Sequence, residues 1–117
     1  MDNKRNAAGN RRAQLFKGLS ELALLSLLRQ RPHYGLELLQ RLWDEAEFEL
    51  AEGTIYPLLY RLERFGRITS EWRSEPSGSR PKKFYKLTNA GAKYLDELRE
   101  EWRILRDRVN FIIEGSS

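Results

Sequence analysis

For a chain of 117 residues, 40% of them hydrophobic, one compact domain with a modest core is expected and a second independent domain is not. With no cysteine and a single histidine it excludes disulfides, thiol nucleophiles and clustered thiolate or imidazole metal sites, so no cofactor is expected. It has no apolar run of about eighteen residues and no apolar core behind the polar start Met1-Asp2-Asn3-Lys4-Arg5, so neither a membrane span nor export is expected, and the cytoplasm is the expected location.

The net charge of +4 is small, but the charges are unevenly placed. Lys4, Arg5, Arg11, Arg12 and Lys17 make the beginning of the chain basic, and Arg80, Lys82, Lys83 and Lys86 form a second basic group. Between them Glu37, Asp44, Glu45, Glu47 and Glu49 form an acidic block. A chain arranged in this way presents one side to a polyanion and turns the other away.

Residues 1–10 lack apolar periodicity and read as a disordered basic arm. From Leu19 to Gln30 the leucines cover most of a helix, with Ser20 as its expected cap and Pro32 as its stop. A short amphipathic helix from about Tyr34 to Asp44 places Leu36, Leu39 and Trp43 on one stripe, with Leu38 and Leu42 beside it. Glu47-Phe48-Glu49-Leu50 alternates briefly and predicts a stub of strand.

A third helix runs from about Glu52 to Gly66, burying Ile55, Leu58 or Leu59, Leu62 and Phe65, and Pro57 should make its first turn irregular. Ile68 to Arg73 and Lys83 to Leu87 predict two strands joined by the turn-rich stretch Ser74-Glu75-Pro76-Ser77-Gly78-Ser79. Thr88 is a good cap for a last helix carrying Leu95, Leu98, Trp102, Leu105, Val109 and Ile112. Their alternating steps of three and four form a coiled-coil seam, so these six residues are expected at the interface of a homodimer. Residues 115–117 read as a disordered tail.

The order helix, helix, short strand, helix, hairpin predicts an α+β winged helix-turn-helix over residues 11–88. The helix over residues 89–114 is then left for dimerisation. Gly53-Thr54-Ile55-Tyr56-Pro57-Leu58-Leu59-Tyr60-Arg61-Leu62-Glu63-Arg64-Phe65-Gly66 resembles the signature of the PadR family of transcriptional regulators. The resemblance extends to Pro32-His33-Tyr34-Gly35, Trp72, and Lys83 to Gly91, covering roughly residues 19 to 112. Two positions depart from the family pattern: Leu36 replaces a usual tyrosine, and Ala51 stands where a small polar cap is common.

The resemblance implies a ligand-responsive repressor that binds double-stranded DNA at a palindromic operator, as a homodimer. Off the apolar stripe of the third helix, Thr54, Tyr56, Tyr60, Arg61 and Arg64 offer hydroxyl and guanidinium donors to phosphates and base edges. Tyr56, next to Pro57, is equally suited to packing against the second helix. In the wing, Arg80, Lys82 and Lys83 are expected to contact the DNA backbone. His33 and Tyr34 are read either as phosphate contacts or, for His33, as part of an ordinary surface turn.

Trp102 matches, through the resemblance, a tryptophan that sandwiches flat aromatic effectors between two subunits in a multidrug-responsive branch. A large aromatic filling the dimer core is the alternative. No Gly-rich phosphate loop or catalytic triad is present, so no enzymatic activity is expected. Two other readings stand beside regulation: a winged-helix protein-interaction module, and an aromatic-compound sensor with weak DNA affinity.

Overall fold

The computed structural model describes Arg11, Leu15, residues 18–74 and residues 76–115. The expected basic arm lies outside these residues, as do Ser116 and Ser117. Among the described residues, four helices and a small antiparallel sheet share one core, the α+β architecture expected from the sequence.

Helix α1 (Ser20–Gln30) buries Leu24, Leu25, Leu27 and Leu28, which surround enough of its circumference to make it the central helix. Ser20 does not cap it: Leu19 occupies the N-cap, and Ser20 is the first helical residue and is buried. Extended Arg31, followed by Pro32, ends the helix. The chain then forms β1 (His33–Tyr34), which pairs antiparallel with β3 (Lys82–Leu87) through His33 opposite Tyr85 and Tyr34 opposite Phe84. The third strand, β2 (Ile68–Arg73), lies on the other side of β3, giving the order β1-β3-β2.

The short strand therefore sits before the second helix, and the one expected over Glu47–Leu50 is absent. Glu47 adopts φ 50°, and its N–H bonds Trp43 O at 2.8 Å while that of Phe48 bonds Leu42 O at 3.1 Å. This left-handed turn closes α2 (Gly35–Ala46) and delivers Phe48 into the core, which leaves no extended backbone to pair.

In α2 the buried residues are Gly35, Leu38 and Leu42, whereas Leu36 is 52% and Trp43 46% exposed. Of the expected Leu36–Leu39–Trp43 stripe only Leu39 packs against the core, because Gly35–Leu38–Leu42 repeats at the same spacing and takes the buried face. Pairing of β1 with β3 sets the rotation at which the helix starts, and that choice buries the second stripe.

Helix α3 (Glu52–Arg64) buries Ile55 and Leu62 as expected, and both Leu58 and Leu59 where one of the two was expected. It runs continuously through Pro57, and its opening turn is tightened where Ala51 O accepts from both Thr54 N and Ile55 N. Phe65, expected in the core, is 62% exposed because it lies at the C-cap, where Gly66 (φ 75°) turns the chain away. Gly66 N bonds Glu63 O and Arg67 N bonds Leu62 O, both at 3.0 Å, a pattern that satisfies the last carbonyls of the helix.

Thr88 caps α4 (Asn89–Ile113) as expected, its hydroxyl accepting from Gly91 N at 2.9 Å. Leu95 is fully buried in the same core as α1 and α3, so it is not a seam residue: the first turns of α4 lie on the subunit itself. Leu98 packs partly on that core. Beyond it Leu105, Val109 and Ile112 are exposed, at 56%, 41% and 71%.

Candidate nucleic-acid interface

About 100° separates successive residues of an α-helix, so Gly53, Pro57, Tyr60 and Arg64 run along the middle of the face of α3 opposite its buried leucines. All four are exposed. Thr54 and Arg61 lie on one flank, Tyr56 and Glu63 on the other. Neither Arg61 nor Arg64 has a carboxylate partner among the described residues, whereas Arg29, Arg31, Arg41 and Arg73 are each paired. Two guanidinium groups are thus held on an open helix face with their charge uncompensated.

On the Tyr56 flank a groove of about 370 Å³ opens between α3, the start of α2 and the wing, with Tyr34, Leu36, Tyr56, Trp72, Lys82 and Lys83 in its walls. Tyr56 leans on Gly35 so closely that a Cβ there would lie 2.7 Å from its ring. Packing against the second helix is thus real, and the tyrosine, 41% exposed, still faces the groove. Lys82 Nζ stands 4.7 Å from the centre of the Tyr34 ring. Lys83 Nζ is 3.9 Å from Glu63 Oε1, and Glu63 also accepts from Ser70 Oγ at 2.5 Å. Glu63 therefore fixes the wing's position beside α3 and takes up part of the Lys83 charge.

On the other flank Thr54 and Arg61 line a larger hollow, about 780 Å³, with Phe48, Leu50, Pro57 and Glu21. The predicted site residues consequently fall into two groups around one helix. Tyr34, Tyr56, Lys82 and Lys83 converge in the groove, and Thr54 and Arg61 lie across the helix from it. Tyr60 and Arg64 stand between, and Arg80 is exposed near the wing tip.

His33, expected on this surface, is not on it. Its side chain has no solvent exposure, being enclosed where β1 meets α2, with Nδ1 2.8 Å from Arg31 O and Nε2 2.9 Å from Arg41 Nη1. Both ring nitrogens are engaged inside the fold, so the ring offers nothing to a phosphate and forms no surface turn. Burial, reinforced by the charges of Arg31 and Arg41, pushes its pKa below the usual imidazole range and keeps it neutral.

Trp72 was read only as part of the resemblance, yet it is 69% exposed, opposite Lys83 in the strand register, and in the groove wall. Period-two spacing from Ile68 and Ser70 would have placed it on that face once the register was known. Leu36 lines the same groove at the position where the family pattern has tyrosine.

On α4, Trp102 is half-buried between two hollows. One, of about 170 Å³, lies against α1 and is lined by Leu19, Leu22, Leu98 and Leu105 with the carboxylates of Glu21 and Glu101. The other is charged and contains Arg99, Arg103 and Arg106.

A family model described as the transcriptional regulator PadR-like family matches residues 24–97, from the middle of α1 into α4. The chain belongs to the PadR-like family. Among solved structures, a PadR family transcriptional regulator from Eggerthella lenta DSM 2243 superposes with a TM-score of 0.82 at 31% identity, covering 98% of this chain and 99% of that one. A PadR-like transcriptional regulator from Bacillus cereus strain ATCC 14579 gives 0.79 at 30% identity, covering 87% and 98%. The transcriptional regulator YqjI of Escherichia coli K12 is 33% identical over 117 residues, covering 97% of this chain and 54% of that protein. The chain thus spans about half the length of YqjI.

As a PadR-like protein the chain is a DNA-binding transcriptional regulator and not an enzyme. No described helix is long and apolar enough to cross a membrane.

Proposed function

We propose that this PadR-like regulator represses transcription by binding a palindromic operator as a cytoplasmic homodimer. In this reading α3 enters the major groove, and the wing holds the flanking backbone. The observation that carries it is the open face of α3, where Arg61 and Arg64 stand without carboxylate partners among the described residues, beside the aromatic and cationic groove of the wing. Two-fold symmetry requires an inverted repeat. The exposed Leu105, Val109 and Ile112 of α4, with Trp102 and Leu98 beside them, supply a self-complementary surface for the second subunit.

Selection from a random duplex pool tests the proposal. Enrichment of an inverted repeat with half-sites about one helical turn apart is expected; enrichment of unpaired single sites, or of nothing, refutes it.

Trp102 supports ligand responsiveness. An indole beside an apolar hollow edged by Glu21 and Glu101 suits a planar aromatic cation, and a ligand wedged there would shift the two reading heads and release DNA. Quenching of tryptophan emission by a flat cationic dye, lost in Trp102→Ala, is the expected result. Unchanged dye affinity in that variant refutes this part of the reading.

A further inference from the structure

The C-terminal end of α3 does not hang free. Thr88 Oγ1, while capping α4, donates to Gly66 O at 2.6 Å, and Thr88 N donates to Arg67 O at 3.1 Å. A Cβ on Gly91 would lie 1.9 Å from Arg67 O, so the first turn of α4 rests directly on that carbonyl and only glycine permits it. The Arg67 guanidinium lies 3.6 Å from the centre of the Tyr94 ring, one turn further along α4. Burial and the nearby carboxylate of Glu21 of α1 push the Tyr94 phenol up. From the other side of α4, Arg29 of α1 reaches Asp96 at 2.7 Å and Ala92 O at 3.1 Å.

These contacts join the end of the DNA-reading helix to the helix that carries the apolar seam, through the backbone of Gly66 and Arg67 and through the Arg67 side chain. We propose that Arg67, stacked on Tyr94 and seated against Gly91, is a positioning residue: it fixes the angle of α3 relative to α4 and thereby the separation at which two reading helices meet DNA. The inference rests on the proposed dimeric, operator-binding reading. Loss of the stack leaves the corner tied to α4 by the Thr88 hydrogen bonds, which permit rocking about the Gly66 turn.

The test measures affinity of the full chain for a series of duplexes in which the half-site separation changes one base pair at a time. The wild type is expected to peak sharply at one separation. Arg67→Ala should flatten that peak, with about fivefold weaker binding at the best separation, the scale of one lost cation–aromatic stack, and little change elsewhere in the series. Arg67→Lys should restore most of the peak. The salt dependence should be unaltered, because a positioning residue neutralises no phosphate.

Tyr94→Leu, which removes the same stack from the α4 side, should give the same flattened profile, and it carries the test if Arg67→Ala does not fold. A profile in either folded variant that superimposes on wild type overturns the inference. So does uniform weakening with a shallower salt slope, which would make Arg67 a phosphate contact. Absence of any separation preference in the wild type overturns the operator reading and the inference together.

Discussion

His33 Nε2 and Arg41 Nη1 meet at 2.9 Å inside the fold, and that contact fixes the protonation state of the histidine. A guanidinium only donates, so Nε2 must accept, and Nδ1 must carry the proton that Arg31 O receives. Arg41 also reaches Gln30 Oε1 at 2.7 Å and Glu45 Oε2 at 2.5 Å, so the neutral ring is one corner of a bracket joining β1, α1 and α2.

A pH dependence of stability follows. The folded-state pKa of His33 lies below its ordinary value of 6.5, so above that pH the residue contributes no penalty. As pH falls below 6.5 the unfolded chain takes up the proton first, and stability declines until the folded pKa is reached. Glu37 and Glu45 are held below the usual carboxylate range and affect stability only at lower pH. Thermal melts of the wild type should therefore drop as the pH falls below 6.5, and those of His33→Gln should not. Parallel profiles would sink the assignment.

Thr88→Ala removes the cap of α4 and the partner of Gly66 O together. Urea unfolding should show a loss of about 1 to 2 kcal/mol, at the upper end for a helix cap. Thr88→Ser, which keeps the hydroxyl, should recover most of it.

The two halves of α4 should respond differently to truncation. Leu95→Ala opens a cavity in the subunit core and should cost about 2 to 5 kcal/mol of stability. Leu105→Ala with Ile112→Ala should instead move the monomer–dimer balance, read by sedimentation over a dilution series. Equal dimer affinity in that double variant would remove the seam from the proposed interface.

DNA binding should depend steeply on salt. If each subunit of the proposed dimer neutralises about four phosphates, log affinity against log salt should have a slope near ~−7. Lys82→Ala or Arg80→Ala should weaken every duplex alike, whereas Arg61→Ala or Thr54→Ala should also change base preference by about 1 to 3 kcal/mol per lost contact. Titrations on operator and scrambled duplexes separate the two classes, and a flat salt response would contradict the wing's role.

Much of this fold was legible because burial repeats with helical period. Ile55, Leu58, Leu59 and Leu62 could occupy only one face of α3, and Thr88 marked the start of α4 by its hydroxyl. In α2 two leucine stripes shared one period, and the choice between them was made by the distant pairing of His33 and Tyr34 with β3, which no local pattern encodes. The same pairing buried His33, the one expected DNA-contact residue that left the surface. Leu95 was misplaced because a seam of steps of three and four does not say where a helix leaves its own core. The groove needed residues from α2, α3 and both wing strands, so Trp72 could be assigned to it only once the strand register was fixed.

The channel beside the wing takes its width from an absent carbon atom. With only hydrogen at position 35, the phenol of Tyr56 can lie back against α2 and leave the space before Trp72 and Lys82 open. A methyl group there would have to displace that ring or part the two helices. The bore of the passage is therefore set by the smallest residue in its wall rather than by the large aromatics that line it.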